Sequence, residues 1–253
     1  MNIEHISVSR LQCYELCQFQ YKAKYHLKLV SDVPTPFYFT FGKLVHTIID
    51  HHTQAKGEKS ISRVKSEVLS GQIDLEPGVK APHLDNEHHK NLTRHLNNYM
   101  RLADKIGYDG ETEWPFHYDL DPPHQRRIKG FIDRLIIKNG SACIIDYKTT
   151  KPSRWRKDHT TITKDLQLAV YAYVVMNEFG IPAKNIKTAL YYLDDAKICG
   201  ARFSEKTLMA VPGKLVEAYK EIQTLDPDHA KGHVGEHCRR CDWRKHCPFY
   251  SLL

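Results

Sequence analysis

The order of periodic segments in this 253-residue chain predicts an α/β domain, a central mixed β-sheet flanked by helices. Three observations predict it. Apolar residues recur at helical spacing in the first part of the chain. Three β-rich stretches then follow: ETEWPFHYDL (111–120), RRIKGFIDRLIIK (126–138) and ACIIDYKTT (142–150). Beyond them the order is helix, two strands, helix, which is how a chain completes a mixed sheet and covers its faces.

Taken in order, SVSRLQCYELCQFQYKAKY (7–25) reads as one helix, with Ser9 and Gln12 as a capping box and an apolar stripe of Leu11, Tyr14, Tyr21 and Tyr25. Prolines break residues 31 to 40, and a second helix starts near Phe41 and runs through GKLVHTIIDHHTQ. Residues 61 to 106 read as helical, with a Pro/Gly break between Gly71 and Pro82. After the three strands, DLQLAVYAYVVMNEF (165–179) returns to helix, NIKTALYYLDD (185–195) and KICGARFS (197–204) are strands, and EKTLMAVPGKLVEAYKEIQTL (205–225) is a late helix containing Pro212.

Composition is that of an ordinary globular chain, 41% hydrophobic and 26% charged. No apolar run is long enough to cross a bilayer, and the first residues do not resemble a secretory signal, so no membrane partner is expected and the cytoplasm is the expected location. A net charge of +7 favours polyanionic partners. The seven cysteines are Cys13, Cys17, Cys143, Cys199, Cys238, Cys241 and Cys247. An odd number argues against a disulfide framework. Cys143 and Cys199 lie in apolar strands and read as core; the rest gather toward the two ends.

Asn139-Gly140 between apolar strands is a strong type I′ hairpin signal. With those two residues as the loop, Lys138 pairs with Ser141, and the ladder places Asp133 opposite Asp146. Two carboxylates would then stand roughly 5 Å apart at Cβ, which is destabilising unless a cation lies between them. Alternation puts Lys148 on the same face as Asp146. The plain alternative is a solvated face with a surface ion pair.

These residues resemble the RecB-like branch of the PD-(D/E)XK nuclease superfamily. The segments G-F-I-D (130–133) and I-I-D-Y-K-T (144–149) are similar to its second and third motifs. Gly42-x-x-x-His46 resembles its helix histidine motif, Gln167-x-x-x-Tyr171 its Q-x-x-x-Y motif, and Ser7 to Cys17 its opening helix. The resemblance implies a single restriction-endonuclease-like domain over residues 1–253, with a helical part at 41–106 and a nuclease core at 111–225. It implies a metal-dependent DNA nuclease, an exonuclease acting on DNA ends in replication, recombination or repair. The same superfamily contains endonucleases, and a non-catalytic nucleic-acid-binding protein of this fold is the reading from a different class.

By the same resemblance, Asp133, Asp146, Lys148, Gln167 and Tyr171 are the catalytic residues. His46, Asp133, Asp146 and the Tyr147 carbonyl would hold Mg²⁺ or Mn²⁺. Glu113 or Glu111 is a further acid for that site. Among 16 histidines most are surface residues, and Gln167 and Tyr171 can equally be helix packing. KPSRWRKDHTTITK (151–164) places Lys151, Arg154, Arg156 and Lys157 around Trp155, a phosphate-and-base-binding composition, or else a solvated loop with one packed ring. DNA is the expected partner, with a helicase or another replication or recombination protein supplying any motor.

Cys238-x-x-Cys241-x₅-Cys247 has metal-ligand spacing, and Zn²⁺ would satisfy it. The resemblance instead implies a [4Fe–4S] cluster held by Cys17, Cys238, Cys241 and Cys247, joining segments 1–30 and 235–253. Cys13, one helical turn from Cys17, is the other candidate for the fourth ligand.

Overall fold

The computed structural model describes residues 3–31, 33, 36–151 and 156–250. In chain order the regular elements are α1 (Val8–Leu16), α2 (Gln18–Tyr21), a π-helical turn at Lys22–His26, α3 (Phe37–Gln54), α4 (Ile61–Leu69) and α5 (Asn86–Ile106). Then come β1 (Glu111–Asp121), β2 (Arg126–Lys138), β3 (Ser141–Lys148), α6 (Leu166–Glu178), β4 (Ile186–Tyr192), β5 (Lys197–Ala201), α7 (Glu205–Met209) and α8 (Val211–Thr224). The strands form one five-stranded sheet in sequence order, with β2/β3 and β4/β5 antiparallel and β3/β4 parallel. The expected mixed sheet flanked by helices is present. No helix of the described residues is long and apolar enough to cross a membrane.

The chain divides into two compact units. One comprises Met1–Pro36, Phe116–Gly130 and Ala210–Leu253; the other comprises Phe37–Pro115 and Phe131–Met209. In the second unit, α3 buries Phe41, Leu44, Val45, Ile48 and Ile49, the spacing of one helical face. They pack with Val64 and Val68 of α4, Leu92, Leu96 and Leu102 of α5, and Ile145, Tyr147 and Tyr191 of the sheet. Truncating one of these, such as Leu44→Ala, removes roughly 2–5 kcal/mol of stability. Helix α6 packs on β3 and β4 and is buried continuously from Leu168 to Val175, as its unbroken apolar sequence requires.

The β2–β3 hairpin has the register that its turn dictates: Lys138↔Ser141 through Arg134↔Ile145. Asn139 and Gly140 both have positive φ, 50° and 68°, as a type I′ turn demands. Gly110, φ 99°, enters β1 so close to β2 that an added Cβ would sit 2.4 Å from the Leu135 carbonyl oxygen. Arg134, 1% exposed, donates from Nη2 to Asp109 O at 2.6 Å and Gly107 O at 3.3 Å. It thereby ties the α5–β1 link to the strand that carries Asp133.

The first unit differs from its sequence reading. The expected single N-terminal helix is broken at Cys17, whose backbone is extended (φ −165°, ψ 115°), and resumes as α2 and the π turn. The cap of α1 is Ser7, which accepts from Arg10 N, not Ser9.

That break leads to a correction. The four cysteines expected to hold a [4Fe–4S] cluster, Cys17, Cys238, Cys241 and Cys247, do line one cleft. Its cavity volume is about 10 Å³, room for roughly one water. Cys17 is packed among Phe19, Ala23 and Trp243, with Cys241 and Cys247 against the same cluster. His233 N donates to Cys17 Sγ at 3.5 Å, and Cys238 Sγ donates to His233 O at 3.6 Å. Burial pushes the thiols of Cys241 and Cys247 up, and that of Cys13 up to about 11. No cysteine belongs to a converging set of metal donors among the described residues. The expectation of an iron–sulfur nuclease with its ends joined by a cluster is therefore overturned, and the cysteines serve here as small apolar packing.

Candidate active site

The site lies in the unit made of Phe37–Pro115 and Phe131–Met209. His46 projects from α3, Asp133 from β2 and Glu113 from β1. His46 Nδ1 is 3.6 Å from Glu113 Oε1 and 3.6 Å from Asp133 Oδ2. The ligand atoms of these three residues all lie within 4.8 Å of one another. Among the described residues no other group of three or more His, Cys, Asp or Glu converges in this way.

The Tyr147 peptide holds two of the three. Its N–H donates to Asp133 Oδ2 at 2.7 Å, and its carbonyl lies 3.1 Å from His46 Nε2. With Nε2–H given to that carbonyl, Nδ1 is the nitrogen turned toward both carboxylates. The Tyr147 carbonyl, expected as a metal contact, lies within hydrogen-bond reach of His46.

Glu113 reaches the site through its backbone. Its φ is +45°, the left-handed region, which departs from strand geometry and re-aims its side chain. Of the two acids in the first strand, Glu113 is the one that joins the donors. Nothing in the local sequence signals the kink.

The electrostatics are those of acids crowded out of water. Burial, reinforced by the charges of Asp146 and Glu113, pushes the Asp133 carboxyl up to about 7 against the opposing pull of His46 and Lys148. Burial works against a charged His46, but Asp133 and Glu113 outweigh it and hold the imidazole up at about 9. Two carboxylates and one imidazole are a hard-to-borderline donor set. A divalent cation among them would relieve the repulsion, so these residues fit such an ion.

Asp146, 2% exposed on β3, stands outside the trio. Its Oδ2 is 2.6 Å from Lys148 Nζ. Burial opposes the charge on Lys148, but Asp146 outweighs it and the pKa lies above the usual value. Lys148 Nζ also donates to Gln167 Oε1 at 3.3 Å, and Gln167 Nε2 donates to the Tyr171 hydroxyl at 2.7 Å. Burial, with Asp146 and Asp133 adding, drives the Tyr171 phenol well above its usual pKa, so it stays neutral. The chain Asp146–Lys148–Gln167–Tyr171 fixes the lysine from two elements.

The residues expected to contact DNA are distributed differently. Arg154 and Trp155 lie outside the described residues. Arg156 pairs with Asp195 at 2.7 Å, donates to Thr150 O and lies over the Tyr192 ring, 4.4 Å from its centroid. Lys157 donates its backbone N–H to the Tyr192 hydroxyl, while Lys151 is exposed.

A cavity of about 490 Å³ opens beside the trio, lined by Gly42, His46, Asp50, Glu76, Glu113 and Phe131 among others. The sequence reading did not single out Phe131.

No curated protein matches the chain. A solved structure from Eubacterium rectale, described as a "Putative exonuclease", aligns over 94% of this chain and 87% of its own, with a TM-score of 0.53 and 15% identity. The solved structure of SSO0001 aligns over 91% and 94%, with a TM-score of 0.41 and 16% identity. Residues 5–248 match the PD-(D/E)XK nuclease superfamily, and the chain belongs to that superfamily.

Proposed function

We propose that the chain is a metal-dependent deoxyribonuclease, hydrolysing phosphodiester bonds as a RecB-like exonuclease that works from DNA ends. The observation that carries this reading is the convergence of His46, Glu113 and Asp133 in the same unit as the Asp146–Lys148 pair. The RecB-like assignment is supported by the histidine on α3 and by the Gln167–Tyr171 pair on α6. A helicase or another replication or recombination protein is the proposed partner besides DNA.

His46, Glu113 and Asp133 would hold Mg²⁺ or Mn²⁺, with Asp146 completing the acidic face. When bound, the cation supplies charge neutralisation at the phosphate and acidifies the attacking water. Lys148, kept charged by Asp146, faces the negative charge that builds on the phosphoryl oxygens. Gln167 holds Lys148 in place, and neutral Tyr171 holds Gln167. Asp146 sets the position of the lysine and is the residue whose loss disarms both the acidic face and the ammonium group.

The test is cleavage of end-labelled linear DNA and of closed circular DNA with Mg²⁺ or Mn²⁺. Linear DNA is degraded and circles are spared. Asp146→Ala lowers the rate by about 10³-fold with the fold intact by circular dichroism. Equal activity in the variant would sink the mechanism. Cutting of circles would replace the exonuclease by an endonuclease, and binding without cleavage would replace the enzyme by a nucleic-acid-binding protein.

A further inference from the structure

Phe131 sits two residues before Asp133 on β2, and strand alternation puts both side chains on one face. It is 57% exposed. Single exposed hydrophobics are common and need no explanation. Phe131 differs by its position, because it lines the same cavity of about 490 Å³ as His46 and Glu113. The rest of that wall is mostly polar and charged: Lys43, Asp50, Asp74 and Glu76 contribute to it, with Lys43 paired to Glu76 at 2.7 Å. The Phe131 ring makes no ring contact among the described residues.

Glu76 and Asp74 are paired with Lys43 and Lys80, so this wall offers a phosphate chain little net attraction, and the exposed Phe131 ring offers a surface for a base. We infer that Phe131 is a stacking platform for a nucleobase of the strand being cut. The inference rests on the nuclease reading of this site and adds a base-contacting residue to it. Every base offers a π-face, so the grip is independent of sequence. Inside a duplex both faces of a base are covered by its neighbours, and only a separated strand can offer one to the ring.

The experiment compares wild type, Phe131→Ala and Phe131→Trp on single-stranded oligonucleotides, on blunt duplexes, and on oligonucleotides with one abasic position moved stepwise past the cleavage point. Phe131→Ala is expected to raise KM for the single strand by roughly 10- to 100-fold, with kcat nearly unchanged. Phe131→Trp restores it. At one position the abasic substitution costs wild type the same factor and costs Phe131→Ala nothing more. A second readout needs no turnover: without divalent cation, 2-aminopurine at that position is quenched by wild type and not by Phe131→Ala. Wild-type KM in Phe131→Ala on normal and abasic strands alike overturns the inference while leaving the nuclease. A wild-type preference for blunt duplexes, with no abasic penalty, also overturns it. If wild type cuts no DNA of any form, the nuclease reading itself has failed and this inference with it.

Discussion

The chain carries two patterns of metal-ligand residues, and they end in different physical settings. His46, Glu113 and Asp133 come from a helix and two strands, bring their donors within 4.8 Å, and border a cavity of about 490 Å³. Cys17, Cys238, Cys241 and Cys247 come from a helix junction and short 3₁₀ turns, and border a cleft of about 10 Å³. The acids are forced together in a way that burial makes costly, whereas Cys17, Cys241 and Cys247 pack beside Phe19 and Trp243. Crowded charge is a demand for a cation; packed thiols make no such demand. The lesson is that residue spacing becomes distance only where regular backbone converts it.

The contrast can be broken most forcefully at the acidic site. His46→Ala is expected to weaken Mn²⁺ binding by roughly 100-fold and to abolish the thermal shift that Mn²⁺ gives wild type. An unchanged shift would mean that the ion is held elsewhere. A smaller effect is expected at the cysteines. Cys17→Ala should cost about 1 kcal/mol of stability, the loss of one small buried group, and leave divalent-cation-dependent activity as it was. Iron or zinc retained through those thiols, measured on purified protein, would erase the contrast. The smallest effect concerns His5, in the same unit as the cysteines. Burial, then Arg10, Lys129 and His117, push its imidazole down from 6.5 to about 4. The unfolded chain binds that proton first, so His5 makes stability fall as pH drops from about 6.5 toward 4. Thermal denaturation of His5→Gln should slope less across that window than wild type; parallel slopes would exclude His5 as the cause.

The parts of the fold legible in the sequence were those with a local chemical reason. Asn139-Gly140 prescribed a turn, the turn prescribed a register, and that register turned Asp133 toward β3. The unbroken apolar run of α6 and the spaced face of α3 were equally readable. The break at Cys17 was not, because neither glycine nor proline marks it and tertiary packing against Trp243 decides it. The choice of Glu113 over Glu111 was not, because it depends on one backbone angle. The cysteine spacing read as a ligand set, since spacing in irregular segments leaves open where each sulfur points. Arg156 read as a DNA-contacting cation, and its engagement by Asp195 and Tyr192 was not legible because these partners lie nearly 40 residues away along the chain.

Glu113 has one more consequence. A left-handed backbone costs a residue with a side chain on the order of 1 kcal/mol, and glycine avoids that cost. Glu113→Gly should therefore melt at a temperature equal to or higher than that of wild type while losing affinity for Mn²⁺. At this position thermal robustness and activity are opposed. Selection for a hardier protein alone would erode the metal site here first, and a survey of stabilised variants should find glycine at 113 among the inactive ones.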